Sequence, residues 1–136
     1  MAPDTERAWA AGFFDGEGSV GFSPYSSGGR KYHRPSVQVS QNHRAPLDRF
    51  QAAVGGIGKV YGPYGPYKNQ ASTNPFWKYH ATGRTVTAAI FDALGPFLDS
   101  VKYAGFEDAL AGKSLTRTER DPETGRFVSV PLEEAS

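Results

Sequence analysis

The stretch that most limits how this chain can fold is residues 9 to 18, Trp-Ala-Ala-Gly-Phe-Phe-Asp-Gly-Glu-Gly, where a helix with a small-residue stripe runs into two acids separated by a glycine. Asp4 or Thr5 is placed to cap that helix. Ala8, Ala11 and Gly12 then fall at helical spacing on one face, apart from the bulky Trp9 and Phe13. Glycine inside a helix costs about 1 kcal/mol against alanine, so Gly12 calls for a packing reason, and a face without bulk lets a second helix approach closely. The run Asp15-Gly16-Glu17-Gly18 is expected to stop the helix with flexible glycines and to project two carboxylates where the chain reverses.

Negative charge is disfavoured at a helix C-terminus, so an acid placed there suggests a compensating cation. Hard oxygen ligands from a carboxylate and a backbone carbonyl suit Mg²⁺. By itself an acidic pair in a turn is more often solvated than metal-bound.

Residues 10 to 18, AAGFFDGEG, resemble the signature of the LAGLIDADG homing endonucleases, with Ala10 where the leading leucine is usual and Glu17 at the second acid. The resemblance extends from about residue 5 to 112 through the order of elements. It implies an α+β fold of αββαββα order, with a four-stranded antiparallel saddle sheet covered by helices on one side. It also implies a double-strand DNA endonuclease that hydrolyses phosphodiester bonds. The chain carries one signature, which resembles the homodimeric kind. Ala8, Ala11 and Gly12 would then meet their own copies across a two-fold axis, with Asp15 bracing the turn at that interface, and the DNA site would be long and roughly palindromic. On the same resemblance, Glu17 and the Gly16 carbonyl hold Mg²⁺, for which Mn²⁺ or another divalent ion could substitute. Gln41 orients the attacking water, and Lys102 neutralises charge at the phosphate.

The rest of the chain is consistent with such a scaffold. Residues 19 to 23 and 35 to 41 alternate polar and apolar as strands do, with a hairpin loop at 25 to 29 between them. Residues 45 to 54 read as a helix that buries Leu47, Phe50 and Val54. Strands follow around 58 to 64 and 76 to 82, with helices at 85 to 94 and 97 to 111. In the last strand Trp77, Tyr79 and Ala81 share one face while Phe76, Lys78 and His80 share the other.

Net charge is only +1, but it is unevenly spread: from Gly18 to Arg84 nine cations stand against the single Asp48. Such a basic middle suits a one-sided nucleic-acid footprint. Alternation puts Ser23, Tyr25, Arg34, Ser36, Gln38, Lys59, Tyr61, Lys78 and His80 on the groove-facing side. Arg30 and Lys31 flank the hairpin loop, Arg44 with His43 is placed for phosphate contacts, and Tyr64, Tyr67 and Lys68 are placed either to reach a phosphate backbone or simply to sit in a solvated loop. His33, His43 and His80 lack the compact spacing of a zinc or His-Asn-His nuclease site.

A chain of 136 residues without cysteine excludes a disulfide framework and thiolate metal sites. It has no apolar run long enough for a signal peptide or a membrane span, so an intracellular protein is expected, cytoplasmic or organellar. Residues 1 to 115 are expected to form the single endonuclease domain and 116 to 136 a loosely ordered tail. The alternative reading is a non-cleaving DNA-binding regulator, or an RNA-binding splicing factor that engages intron RNA on the same scaffold.

Overall fold

The computed structural model describes residues 2–65, 74–112, 116–120 and 127–131. Its first helix, Asp4–Glu17 (α1), begins after Pro3, whose carbonyl accepts from the Glu6 and Arg7 amides. Neither Asp4 nor Thr5 caps it by a side chain, contrary to expectation. Asp4 lies inside the first turn, where a carboxylate favours the helix dipole, and pairs with Arg7. The acids also sit differently from the expected turn: the helix continues through Gly16 and Glu17, and the chain enters the sheet directly at Gly18.

Gly18 is extended rather than left-handed, with φ −90°. Its requirement is space, since a Cβ there would lie 2.1 Å from the ring of Phe14, which is itself fully buried. One missing methyl group therefore allows the helix to turn into the strand over its own aromatic side chain.

The strands Gly18–Ser27 (β1) and Arg30–Gln41 (β2) form a hairpin longer than alternation suggested, with Tyr25 in the strand rather than in a loop. Only Gly28 and Gly29 turn, at φ +58° and +79°, the positive values that a two-residue hairpin needs at both positions. Proline did not end either strand. Pro24 lies on the edge strand β1, and Pro35 lies just beyond the last pairing with the next strand, so no ladder bond is lost there.

A helix follows, Arg44–Ala53 (α2), then strands Lys59–Tyr64 (β3) and Phe76–Thr82 (β4), helix Arg84–Leu94 (α3), a 3-10 turn Gly95–Phe97, and helix Ser100–Ala111 (α4). The last helix starts three residues later than expected, because Asp99 caps it by accepting from the Lys102 amide at 2.8 Å. The four strands form one antiparallel sheet in the order β1-β2-β4-β3. Thr116–Arg120 (β5) and Phe127–Pro131 (β6) pair as a separate antiparallel hairpin, so part of the tail has regular structure. Residues 121 to 125, Tyr67 and Lys68 lie outside the described residues.

The helices cover one side of the sheet. Val37, Val39 and Tyr79 point into a core with Leu47, Phe50, Ile90, Leu94 and Phe106, all fully buried or within 1% of it. Phe14 joins three helices there, its ring 6.1 Å from Phe50 and 5.4 Å from Phe106. Tyr79 brings a hydroxyl into this core and satisfies it by donating to the Ile57 carbonyl at 2.7 Å, while burial pushes its pKa upward.

Candidate nucleic-acid interface

The strand register fixes the composition of the sheet side opposite the core. Ser19, Gln38, His80 and Lys59 form one cross-strand row, Ser40, Lys78 and Tyr61 the next, and Gly21, Ser36 and Thr82 a third. Toward the hairpin tip come the pairs Ser23 with Arg34 and Tyr25 with Tyr32. This side is polar and cationic, and among its residues no aspartate or glutamate appears.

Most of the residues expected to face a groove lie on this side: Ser23, Tyr25, Arg30, Arg34, Gln38, Lys59, Tyr61, Lys78 and His80. Three of the residues expected to contact DNA are placed differently from these. Ser36 has the right parity but is only 4% exposed, so it forms the floor of the surface and reaches nothing. Lys31 pairs with Ser26 and has the parity of Val37 and Val39, opposite to Arg30. Arg44 stands on α2 rather than on the sheet, its guanidinium 3.4 Å from the Asp48 carboxylate. Ser40 belongs to the face, as the alternation of residues 34 to 40 expects, and Ser19, Tyr32 and Thr82 belong to it as well; extending that alternation back by one step finds Tyr32.

Electrostatics within the face are those of a surface awaiting anions. The His80 pKa is held below 6.5 by partial burial, then by the neighbouring Lys78 and Arg34 charges. Its Nε2 lies 3.5 Å from Ser23 Oγ.

The acidic end of α1 adjoins the start of β1. Asp15 is half-buried and accepts from the Asp99 amide through both oxygens at 3.2 Å, which ties α1 to the cap of α4. Glu17, two residues on, is exposed, and among the described residues no hydrogen bond or ion pair engages it. Lys102 Nζ donates to the Gly18 carbonyl at 2.7 Å, one peptide beyond Glu17, and lies 5.8 Å from the Phe14 ring centre. Gln41 ends β2 two residues past Val39, the partner of Gly18, and pairs with Trp77 of β4. Glu17 and the Lys102 ammonium thus lie at one corner of the sheet, and Gln41 ends the strand that pairs with β1.

The donors at this corner are a free carboxylate and a peptide carbonyl at the exposed Gly16, hard oxygens that fit a divalent cation such as Mg²⁺. Among the described residues no group of three or more acidic or histidine side chains gathers in one chain.

Of the stripe on α1, Ala8 and Gly12 are exposed, and a Cβ at Gly12 would meet nothing within 4 Å. Ala11 is fully buried in the core of its own chain, which removes it from any interface with another.

No protein-family model matches the chain, and neither does any curated protein. Solved structures do match. The homing endonuclease I-CvuI, in complex with the I-CreI target, is 22% identical with a TM-score of 0.62, over 79% of this chain and 64% of that one. The archaeal intron-encoded homing endonuclease I-Vdi141I, complexed with DNA, is 17% identical with a TM-score of 0.58, over 80% and 69% of the two chains. The group I intron-encoded I-CeuI, also complexed with DNA, is 15% identical at 0.59, over 82% and 55%. The chain spans 64% of I-CvuI and 32% of the LAGLIDADG endonuclease I-GzeII. The order of helices and strands and the four-stranded antiparallel sheet accord with these likenesses, and the chain is built on the LAGLIDADG homing endonuclease fold.

Proposed function

We propose that this protein is a site-specific double-strand DNA endonuclease that acts as a homodimer on a long, roughly palindromic site. The observation that carries the reading is the juxtaposition of an acid-free cationic sheet face with an unpartnered Glu17 at its corner. A twisted antiparallel sheet of this kind lies along a major groove, where cationic side chains meet phosphates and base edges.

In this reading the sheet binds and orients the duplex, and two-fold symmetry brings one Glu17 from each copy to neighbouring phosphates. Glu17 and the Gly16 carbonyl would hold Mg²⁺. When bound, the ion polarises a phosphoryl oxygen and acidifies a water. Gln41 orients the attacking water by hydrogen bonding. Lys102, already anchored on the Gly18 carbonyl, offers its remaining ammonium hydrogens to the negative charge that develops on the phosphate. Asp15, accepting from the Asp99 amide that precedes α4, braces the junction of α1 and β1.

Glu17→Ala is expected to abolish Mg²⁺-dependent double-strand cleavage while DNA binding persists, because the strands rather than the acid hold the groove. The measurement is cleavage and retention of a randomised duplex library by both proteins. Retention without cutting by the unaltered protein would instead mark a DNA-binding regulator, and cutting by Glu17→Ala at the unaltered rate would reject the site.

A further inference from the structure

The arm of the β1–β2 hairpin carries a side-chain arrangement that the core does not require. Tyr25 and Tyr32 are 38% and 40% exposed, yet their rings stack with centres 5.3 Å apart and planes within 27°. The Arg34 guanidinium lies over the Tyr25 ring, 4.9 Å from its centre.

A comparison within the molecule shows what is unusual. Arg49 is likewise laid over an aromatic ring, 3.9 Å from the centre of Trp9, but its fork is spent on the Glu6 carboxylate through two bonds of 2.9 Å. Arg34 has the same platform and, among the described residues, no carboxylate partner. Its planar set of donors is ordered in advance and unspent. Ordering a long side chain before binding removes part of the entropy cost that recognition otherwise carries.

We propose that Arg34, held on the Tyr25–Tyr32 shelf, selects a guanine in the bound duplex by donating to its O6 and N7 atoms. This rests on the DNA-binding reading above and adds to it a base and a position. A flat guanidinium with its edge free, on a strand of the groove-facing side, matches the two acceptors of guanine in one fixed geometry, which a lysine ammonium on its flexible stem does not hold. The pair Ser23 with Arg34 lies five residues along β1 from the pair Gly18 with Val39. At roughly 3.4 Å per residue that is ~17 Å, or about five base pairs outward from the phosphate that Glu17 meets. Tyr25 is a positioning residue here, acting on the base only through Arg34.

The test is selection of randomised duplexes in metal-free buffer by the unaltered protein, Arg34→Lys and Tyr25→Leu, with folding of each checked by circular dichroism. The unaltered protein should enrich a guanine about five base pairs outward in each half-site, at about tenfold over the other bases. Arg34→Lys should flatten that position while the remaining positions and the overall retention hold, since the charge is kept. Tyr25→Leu should weaken the same preference without altering others. Retained sites whose guanine preference survives Arg34→Lys, or that show none there, would overturn the assignment and leave DNA binding intact. Failure of the unaltered protein to retain any duplex would overturn both.

Discussion

His80 occupies the middle of the cationic face, with Lys59 opposite it on β3, Gln38 on β2, Lys78 two residues along β4 and Ser23 within 3.5 Å. Burial, Lys78 and Arg34 hold its pKa below 6.5, so near that pH the folded protein binds fewer protons than the unfolded chain. The contribution to stability is complete above the unfolded value of 6.5 and is lost as pH falls through it toward the lower folded value. A polyanion on the face reverses the cause, favouring the imidazolium, so DNA affinity gains over the same descent. Between about pH 7.5 and about pH 5.5 the melting temperature is therefore expected to fall while affinity at fixed salt rises, and His80→Gln should flatten both slopes. That His80 shares a face with Lys78 was legible from strand alternation. That Arg34 also depresses it was not, because the two residues are neighbours only through the pairing of separate strands.

At the scale of elements, most helices and strands follow from periodicity and turn residues, and the errors have physical causes. The expected loop at 25 to 29 shrank to Gly28 and Gly29, because cross-strand pairing carries Pro24 and Tyr25 into β1 where local propensity alone would release them. At the junction of α1 and β1 the glycine pattern suggests flexibility, whereas Gly18 is needed for clearance from Phe14. Gly18→Ala is accordingly expected to overpack that contact and to cost about 1–3 kcal/mol, measured by urea unfolding. Because Glu17 precedes the substituted residue, cleavage should fall as well. A variant as stable as the unaltered protein would show that Phe14 has room to move.

For the whole molecule, the exposed small-residue face of α1 bears on assembly. Within one chain nothing opposes a side chain at Gly12, and leucine is the better helix former. Gly12→Leu should therefore leave the protomer at least as stable while separating a dimer that packs helix against helix, an outcome read by sedimentation and by loss of double-strand cleavage. A dimer undisturbed by this change would place the two-fold contact elsewhere. Ala11→Leu is a poorer probe, since Ala11 is fully buried and a larger side chain there strains the core itself.

The sequence by itself determined the acidic end of α1, the strand alternation that separates a cationic face from an apolar one, and the candidates Glu17, Gln41 and Lys102. The first two depend on local spacing, which a linear pattern preserves, whereas Gln41, Lys102 and the metal-binding role of Glu17 are candidates through the resemblance to the LAGLIDADG endonucleases. Only the tertiary structure decided that Ser36 lies on the floor of the face, that Lys31 turns away and that Ala11 belongs to the core. It alone also brought Asp99 under Asp15, Lys102 onto the Gly18 carbonyl and Arg34 onto its tyrosine shelf. Burial, strand register and contacts between distant segments are properties of how elements pack against one another, and no single stretch of chain encodes them.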